Sequence, residues 1–233
     1  LSGEWPQKKA EFLDGIARLW PEQERWPELA PYFEVITELN EQSLRFYPGS
    51  PELARHLLRA QDKLLLMELH NQEIEILRRH LRGDSRIAIH HRDGFEGLLG
   101  LLPPTPRRGS VLIDPPYELK EDYTLVLQTL KTALQKWPTA TYALWYPILG
   151  KEVDRSRAML EQARALECPS MLVAELEVAA QPEEWGMNGS GMLILNAPWQ
   201  LDSQLAPLLP RLCEKLSQGD GAQWRLEWLK KPE

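Results

Sequence analysis

The chain has 233 residues, 43% of them hydrophobic, and a formal net charge of -7, which suits one sizeable α/β domain and excludes a protein that coats nucleic acid through its overall field. No apolar run approaches the roughly 20 residues a membrane span needs, and no basic-then-apolar signal pattern opens the chain. Cys168 and Cys213 have neither metal-ligand nor disulfide-framework spacing, so a cytoplasmic protein with packing cysteines, no metal site and no membrane partner is expected.

In "KKAEFLDGIARLW", Phe12, Ile16, Leu19 and Trp20 fall at helical spacing, and Pro21 is expected to end the helix. "ERWPELAPYFEVITELNE" reads as a connector and a second helix, so residues 4–48 are expected to form a small helical insertion within one domain spanning 1–233. "FYPGSP" is a tight turn into "PELARHLLRA", where Ser50 is the expected N-cap and Pro51 the first helical residue. From Asp62 onward short apolar runs alternate with helical ones: "KLLLMEL", "EIEILRRHL", "RIAIHH", "GFEGLLGLL", "SVLID". That alternation marks βαβ units and a mostly parallel sheet with helices on both faces. It continues with a helix over 123–136, the strand "TYALWYP", a helix over 151–166, and the strands "SMLVAELEV" and "GMLILNAP". The linker "AAQPEEWGMNGS" lacks helical periodicity, so the last two strands are expected to form an antiparallel hairpin at the sheet edge.

Sheets of this kind bind ligands outside the carboxyl ends of their strands, where Glu68, Asp93 and Asp114 fall. Glu68 closes its strand and either accepts from the two hydroxyls of a ribose or is a helix-capping or solvated acid before "HNQE". Asp93 in "HRDGF" either accepts from an adenine amino group or caps the helix that follows. Asp114 opens "DPPY", where two prolines that cannot donate to a ladder end the strand and stiffen the loop. A rigid carboxylate, a bare carbonyl and the ring of Tyr117 suit a planar ring carrying an exocyclic amine. Acceptors on both amine hydrogens localise the nitrogen lone pair, and the carboxylate stabilises the positive charge that develops when nitrogen attacks a sulfonium methyl group.

"RFYPGSP", "LLLMELH", "RDGF", "VLIDPPYE", "TYALWYP" and "GSGMLILNAPW", in this order, closely resemble the RlmJ family of bacterial adenine-N6 methyltransferases of 23S ribosomal RNA, over essentially the whole chain. The resemblance implies a Rossmann-like class I methyltransferase fold, S-adenosyl-L-methionine as cofactor and 23S ribosomal RNA as partner, with no obligate protein partner. It makes Asp114 the catalytic acceptor, with Pro115 and Tyr117 completing the amine site. Glu68 would hold the donor's ribose, Asp93 and Gly94 its adenine end, and Ser50 would line the same pocket; Asp114 also counts among the donor-facing residues. Members of the family carry a further head with the first strand and its glycine-rich loop, and Leu1 falls just beyond that loop. The sheet is therefore expected to lack its first strand, and the chain starting at Leu1 to fail in donor binding.

Lys120, beside the DPPY loop, and Arg107 with Arg108 are the candidate RNA contacts, followed by Arg45 and the "HHR" of His90–Arg92. Trp145, Tyr146 and Trp199 are read as packing residues, and the loop bearing Trp185 as a segment able to approach RNA. The same amine chemistry would serve DNA adenine, a ribosomal RNA guanine or a protein glutamine, and a non-catalytic RNA-binding relative would keep the scaffold.

Overall fold

The computed structural model describes residues 11–40, 43–184 and 186–232. Its internal contacts divide the chain into two compact units, Leu1–Gly97 and Leu98–Glu233.

In the first unit, Gly15 (φ -107, ψ -112) breaks the expected first helix into two single turns, Glu11–Asp14 and Ile16–Leu19. Pro21 does not end the run; it sits in the first turn of a 3-10 segment, Trp20–Arg25, where no donor is required of it. Helix α1 (Ala30–Leu39) buries Phe33, Val35 and Ile36. Helix α2 (Ser50–Leu57) begins one residue earlier than expected: extended Gly49 is the N-cap, and Ser50 is already helical and makes no capping bond. The Gly49 carbonyl receives the amides of Glu52 and Leu53, each at 3.1 Å, so the backbone closes this helix start without a side chain.

Strands β1 (Leu64–Glu68) and β2 (Ile87–His91) pair in parallel, from Leu64↔Ile87 to Glu68↔His91. They are joined by α3 (Asn71–His80), and α4 (Gly94–Leu101) follows β2, as the alternating pattern requires. A Cβ on Gly97 would overlap the end of the Met67 side chain, so the glycine lets Met67 lie between β1 and α4 in its present rotamer.

The second unit carries β3 (Ser110–Ile113), α5 (Lys120–Lys136), β4 (Thr141–Leu149), α6 (Ser156–Ala163), β5 (Met171–Glu177), β6 (Met187–Leu195), α7 (Leu201–Leu216) and β7 (Gln223–Lys230). Its five strands run in the order β3-β4-β6-β5-β7. The α/β class is as expected, but the sheet is mixed: β3–β4 is parallel, while β4–β6, β6–β5 and β5–β7 are antiparallel. The β5–β6 hairpin is antiparallel and lies inside the sheet, with β7 taking the edge. Burial explains the order, because β5 is covered along most of its length and needs a neighbour on each side, whereas β7 is largely accessible.

Both α7 and β7 lie beyond the alternation read from the sequence. Helix α7 runs through Pro207 and Pro210 and buries Leu208, Leu209 and Cys213. Helix α5 presents Val126, Leu130, Ala133 and Leu134 at helical spacing to the core, which Tyr142, Leu144, Met171, Leu172, Leu193 and Leu195 fill from the sheet. Both cysteines are buried and unpaired. Among the described residues no helix is long and apolar enough to cross a membrane.

Candidate active site

Strand β3 ends at Ile113, paired with Leu144, and Asp114 follows at its carboxyl end. Pro115 is buried and Pro116 exposed; neither can extend the ladder, so the chain leaves the sheet here. Among the described residues no hydrogen bond or ion pair reaches the Asp114 carboxylate, and partial burial alone holds its pKa above the ordinary aspartate value. All its acceptor capacity is therefore open to a ligand.

Tyr117 adopts a left-handed backbone, φ 53°, which costs a bulky residue on the order of 1–3 kcal/mol and persists only where surrounding contacts enforce it. Its hydroxyl donates to the Trp145 carbonyl at 2.9 Å and lies 4.0 Å from the Met159 sulfur. Trp145 is one residue past the last β3–β4 pair, so the tyrosine supplies a donor on the side where the prolines have none. The ring packs against Tyr123 with centroids 4.5 Å apart and against Trp145 at 6.2 Å. Only 8% of Tyr117 remains accessible. The open aromatic plate expected from the sequence is thus an anchored, buried ring, and burial raises the pKa of its hydroxyl.

The other three site candidates implied by the resemblance, and the donor-facing glycine, belong to the first unit. Glu68 is the last residue of β1, and one carboxylate oxygen accepts the His70 amide at 2.7 Å. Asp93 caps α4 by accepting the Glu96 amide at 2.8 Å through Oδ1; the capping reading is therefore realised, and its second oxygen keeps acceptor capacity for an amine. Space is open at Gly94, with no atom within 4 Å of the position a Cβ would take. Ser50 is exposed in the first turn of α2. Two carboxylates at successive parallel strand ends beside an unobstructed glycine fit the ribose hydroxyls and adenine edge of a nucleoside.

Among the candidate RNA contacts, Arg107, Arg108 and Lys120 are all exposed. Lys120 is the first residue of α5, where the helix dipole disfavours a cation and the acids Glu121 and Asp122 serve the first turn. Helix stability therefore gives no reason for a lysine there. His91 is exposed but engaged with the Leu69 carbonyl at 3.0 Å, and His90 is half-buried with Nε2 enclosed; Arg92 is exposed. Trp185 lies outside the described residues. Trp199 does not pack: it is 84% exposed on a turn bounded by left-handed Asn196 and Gln200.

The sequence reading missed Tyr123, whose position at the start of a helix six residues after Tyr117 was its only signal. It also missed a polar row across the sheet, in which the Tyr146 hydroxyl donates to buried Glu175 at 2.8 Å. Strand alternation with charged residues at buried positions was the available clue there.

The family model described as "Ribosomal RNA large subunit methyltransferase D, RlmJ" matches residues 1–230. Two curated relatives are both named ribosomal RNA large subunit methyltransferase J. The one from Haemophilus influenzae is 37% identical over 231 residues, covering 98% of this chain and 82% of the relative. That from Escherichia coli is 38% identical over 230 residues, covering 98% of this chain and 81% of the relative. The crystal structure of protein LPL1258 from Legionella pneumophila, of family DUF519, superposes with a TM-score of 0.84 at 33% identity, covering 93% of this chain and 80% of that one.

Proposed function

The chain belongs to the family of ribosomal RNA large subunit methyltransferase D, RlmJ, and from that premise we propose that it methylates N6 of an adenine in 23S ribosomal RNA, acting in the cytoplasm. The observation that carries this reading is the unpartnered Asp114 carboxylate, fixed at a parallel strand end by two prolines. S-adenosylmethionine, when bound, supplies an electrophilic methyl group. Glu68 would hold its ribose and Asp93 and Gly94 its adenine end, with Ser50 lining the same pocket. Asp114 takes one hydrogen of the target amine and the Pro115 carbonyl the other, which localises the nitrogen lone pair. As nitrogen becomes cationic, Asp114 stabilises the charge until the proton is lost to solvent. Tyr117 completes the amine site by holding the loop in its left-handed turn. An adenine inside folded RNA must leave its stack to reach Asp114. We propose one methyltransferase domain over 1–233, with residues 4–48 as an insertion whose described residues, 11–40 and 43–48, include α1; residues 4–10 and 41–42 of that span lie outside the described residues.

The test is labelled methyl transfer to protein-free, unmodified 23S ribosomal RNA, using the full product of its gene, followed by digestion to nucleosides. N6-methyladenosine at a single site is expected. Label appearing in methylguanosine, or only on a DNA or protein acceptor, would overturn the adenine assignment.

Lys120→Glu is expected to weaken RNA binding and to flatten the plot of log affinity against log salt by about one unit, the signature of one lost phosphate contact. An unchanged slope and affinity at low salt would remove Lys120 from the interface.

A further inference from the structure

The geometry points to Tyr123 as a positioning residue for methyl transfer, acting through Tyr117 on the loop that carries Asp114; the inference rests on the methyltransferase reading above. Between Asp114 and Tyr123 the chain is tied at both ends. At one end Ile113 is held in the sheet against Leu144. At the other, the Asp122 carboxylate accepts the Leu119 amide and the Leu119 carbonyl accepts the Asp122 amide, both at 3.1 Å, so the start of α5 is closed on itself. Tyr123 is the next residue, and its ring returns to Tyr117 at 4.5 Å between centroids, inclined at 45°.

Tyr117 is also supported by the Trp145 carbonyl and ring from β4 and by the Met159 sulfur from α6. Tyr123 alone braces it from the loop's own far end. Removing that ring frees Tyr117 to leave its left-handed conformation, and Asp114, three residues away, loses its fixed aim.

The Tyr123 hydroxyl separates this role from ordinary polar packing. It is buried and has no hydrogen-bond partner among the described residues, and burial raises its pKa. The contact made to Tyr117 is therefore that of the ring. Phenylalanine keeps the ring and removes a buried group that lacks a partner, a change that does not weaken a fold.

Tyr123→Phe and Tyr123→Leu should be compared in the full gene product by steady-state methyl transfer, S-adenosylmethionine binding, thermal unfolding and hydrogen exchange. The leucine variant is expected to lose about 10²-fold in kcat, the penalty of a catalytic group displaced by about 1 Å, with unchanged S-adenosylmethionine Kd. Its amides at Tyr117–Leu119 should exchange faster while those of β4 do not. The phenylalanine variant should restore kcat and slow exchange. A leucine variant with wild-type kcat and exchange would overturn the inference, and so would one that loses S-adenosylmethionine binding together with kcat, since the ring would then only hold the fold. An inactive wild-type protein would defeat the methyltransferase reading, while the exchange comparison would still report whether Tyr123 braces the loop.

Discussion

Asp114→Asn is expected to lower methyl transfer by about 10²–10³-fold, the scale of losing one preorganised electrostatic stabiliser of the transition state, while leaving the melting temperature unchanged or higher. Asparagine keeps an oxygen for one amine hydrogen and loses the negative charge that the cationic nitrogen requires, so the defect falls on kcat more than on RNA binding. The stability expectation follows from the direction of the pKa. Burial without a compensating partner raises the folded-state pKa of Asp114 above its unfolded value. The ionised form is thus the disfavoured one in the fold. Below the unfolded value, about 3.9 for aspartate, the side chain is protonated in both states and imposes no penalty. As pH rises from there through the raised folded pKa, the unfolded state releases its proton first and stability is lost, and that loss persists at neutral pH. An uncharged asparagine escapes it. The same shift raises the acid limb of the wild-type kcat/KM profile relative to an unshifted aspartate, because the acceptor must be ionised to work. Thermal unfolding of both proteins from pH 3 to 8, beside the kcat/KM profile, checks this: the asparagine variant should gain on the wild type as pH rises from about 4. Full activity in the asparagine variant would remove Asp114 from the chemistry, and a marked fall in its melting temperature would show that the carboxylate has a structural partner.

The parts of this site legible in the sequence were those fixed by local chemistry. Two prolines end β3 wherever they occur, so Asp114 had to stand at a strand end, and the alternation of apolar and helical runs put Glu68 and Asp93 at two more. What escaped depends on residues distant along the chain. Tyr117 reads as an accessible ring until the Trp145 carbonyl, 28 positions later, takes its hydroxyl. Strand order was equally hidden, because the placement of β6 between β4 and β5 is set by pairs such as Tyr142↔Leu195, whose separation leaves no local signature. The run "WRLEWLK" carries the alternation of a strand, with Trp224, Leu226 and Trp228 interleaved with charge, but it follows a helix containing two prolines, which argues against regular structure there. Gly15 and Gly49 show the same limit in small: one breaks a helix whose apolar spacing is intact, and the other takes the cap expected of Ser50.

Gly191→Ala and Glu175→Ala are expected to be among the most destabilising single changes in the second unit, and to be coupled. Tyr146, Gly191, Glu175 and Arg225 form one row across four adjacent strands, with Tyr146↔Gly191, Glu175↔Gly191 and Glu175↔Arg225 in register. Because Gly191 has no side chain, the Tyr146 ring lies across it and reaches Glu175 with its hydroxyl at 2.8 Å. Arg157 and Arg225 donate to the same carboxylate at 3.1 and 3.3 Å. Glu175 is 1% exposed and Tyr146 fully buried. Removing the carboxylate leaves the buried Tyr146 hydroxyl without its acceptor, a change that costs about 1–3 kcal/mol, while Arg225 keeps the Glu227 carboxylate at 2.8 and 2.6 Å. The Arg157 side chain is 54% exposed and can turn to water, which keeps the expected loss within that range. A Cβ on Gly191 would overlap the Tyr146 ring itself, so the tyrosine must leave its rotamer and its bond to Glu175; overpacking of this kind costs about 1–3 kcal/mol before the lost hydrogen bond is added. At about 2–4 °C per kcal/mol for a chain of this size, each variant should melt several degrees lower. Both changes break the same Tyr146–Glu175 bond, so the double variant should lose less than the sum of the two. Urea unfolding of the four proteins measures that coupling. Strict additivity would mean that the tyrosine does not depend on the glycine to reach the glutamate, and a neutral Gly191→Ala would mean that the ring does not lie over Gly191 in solution.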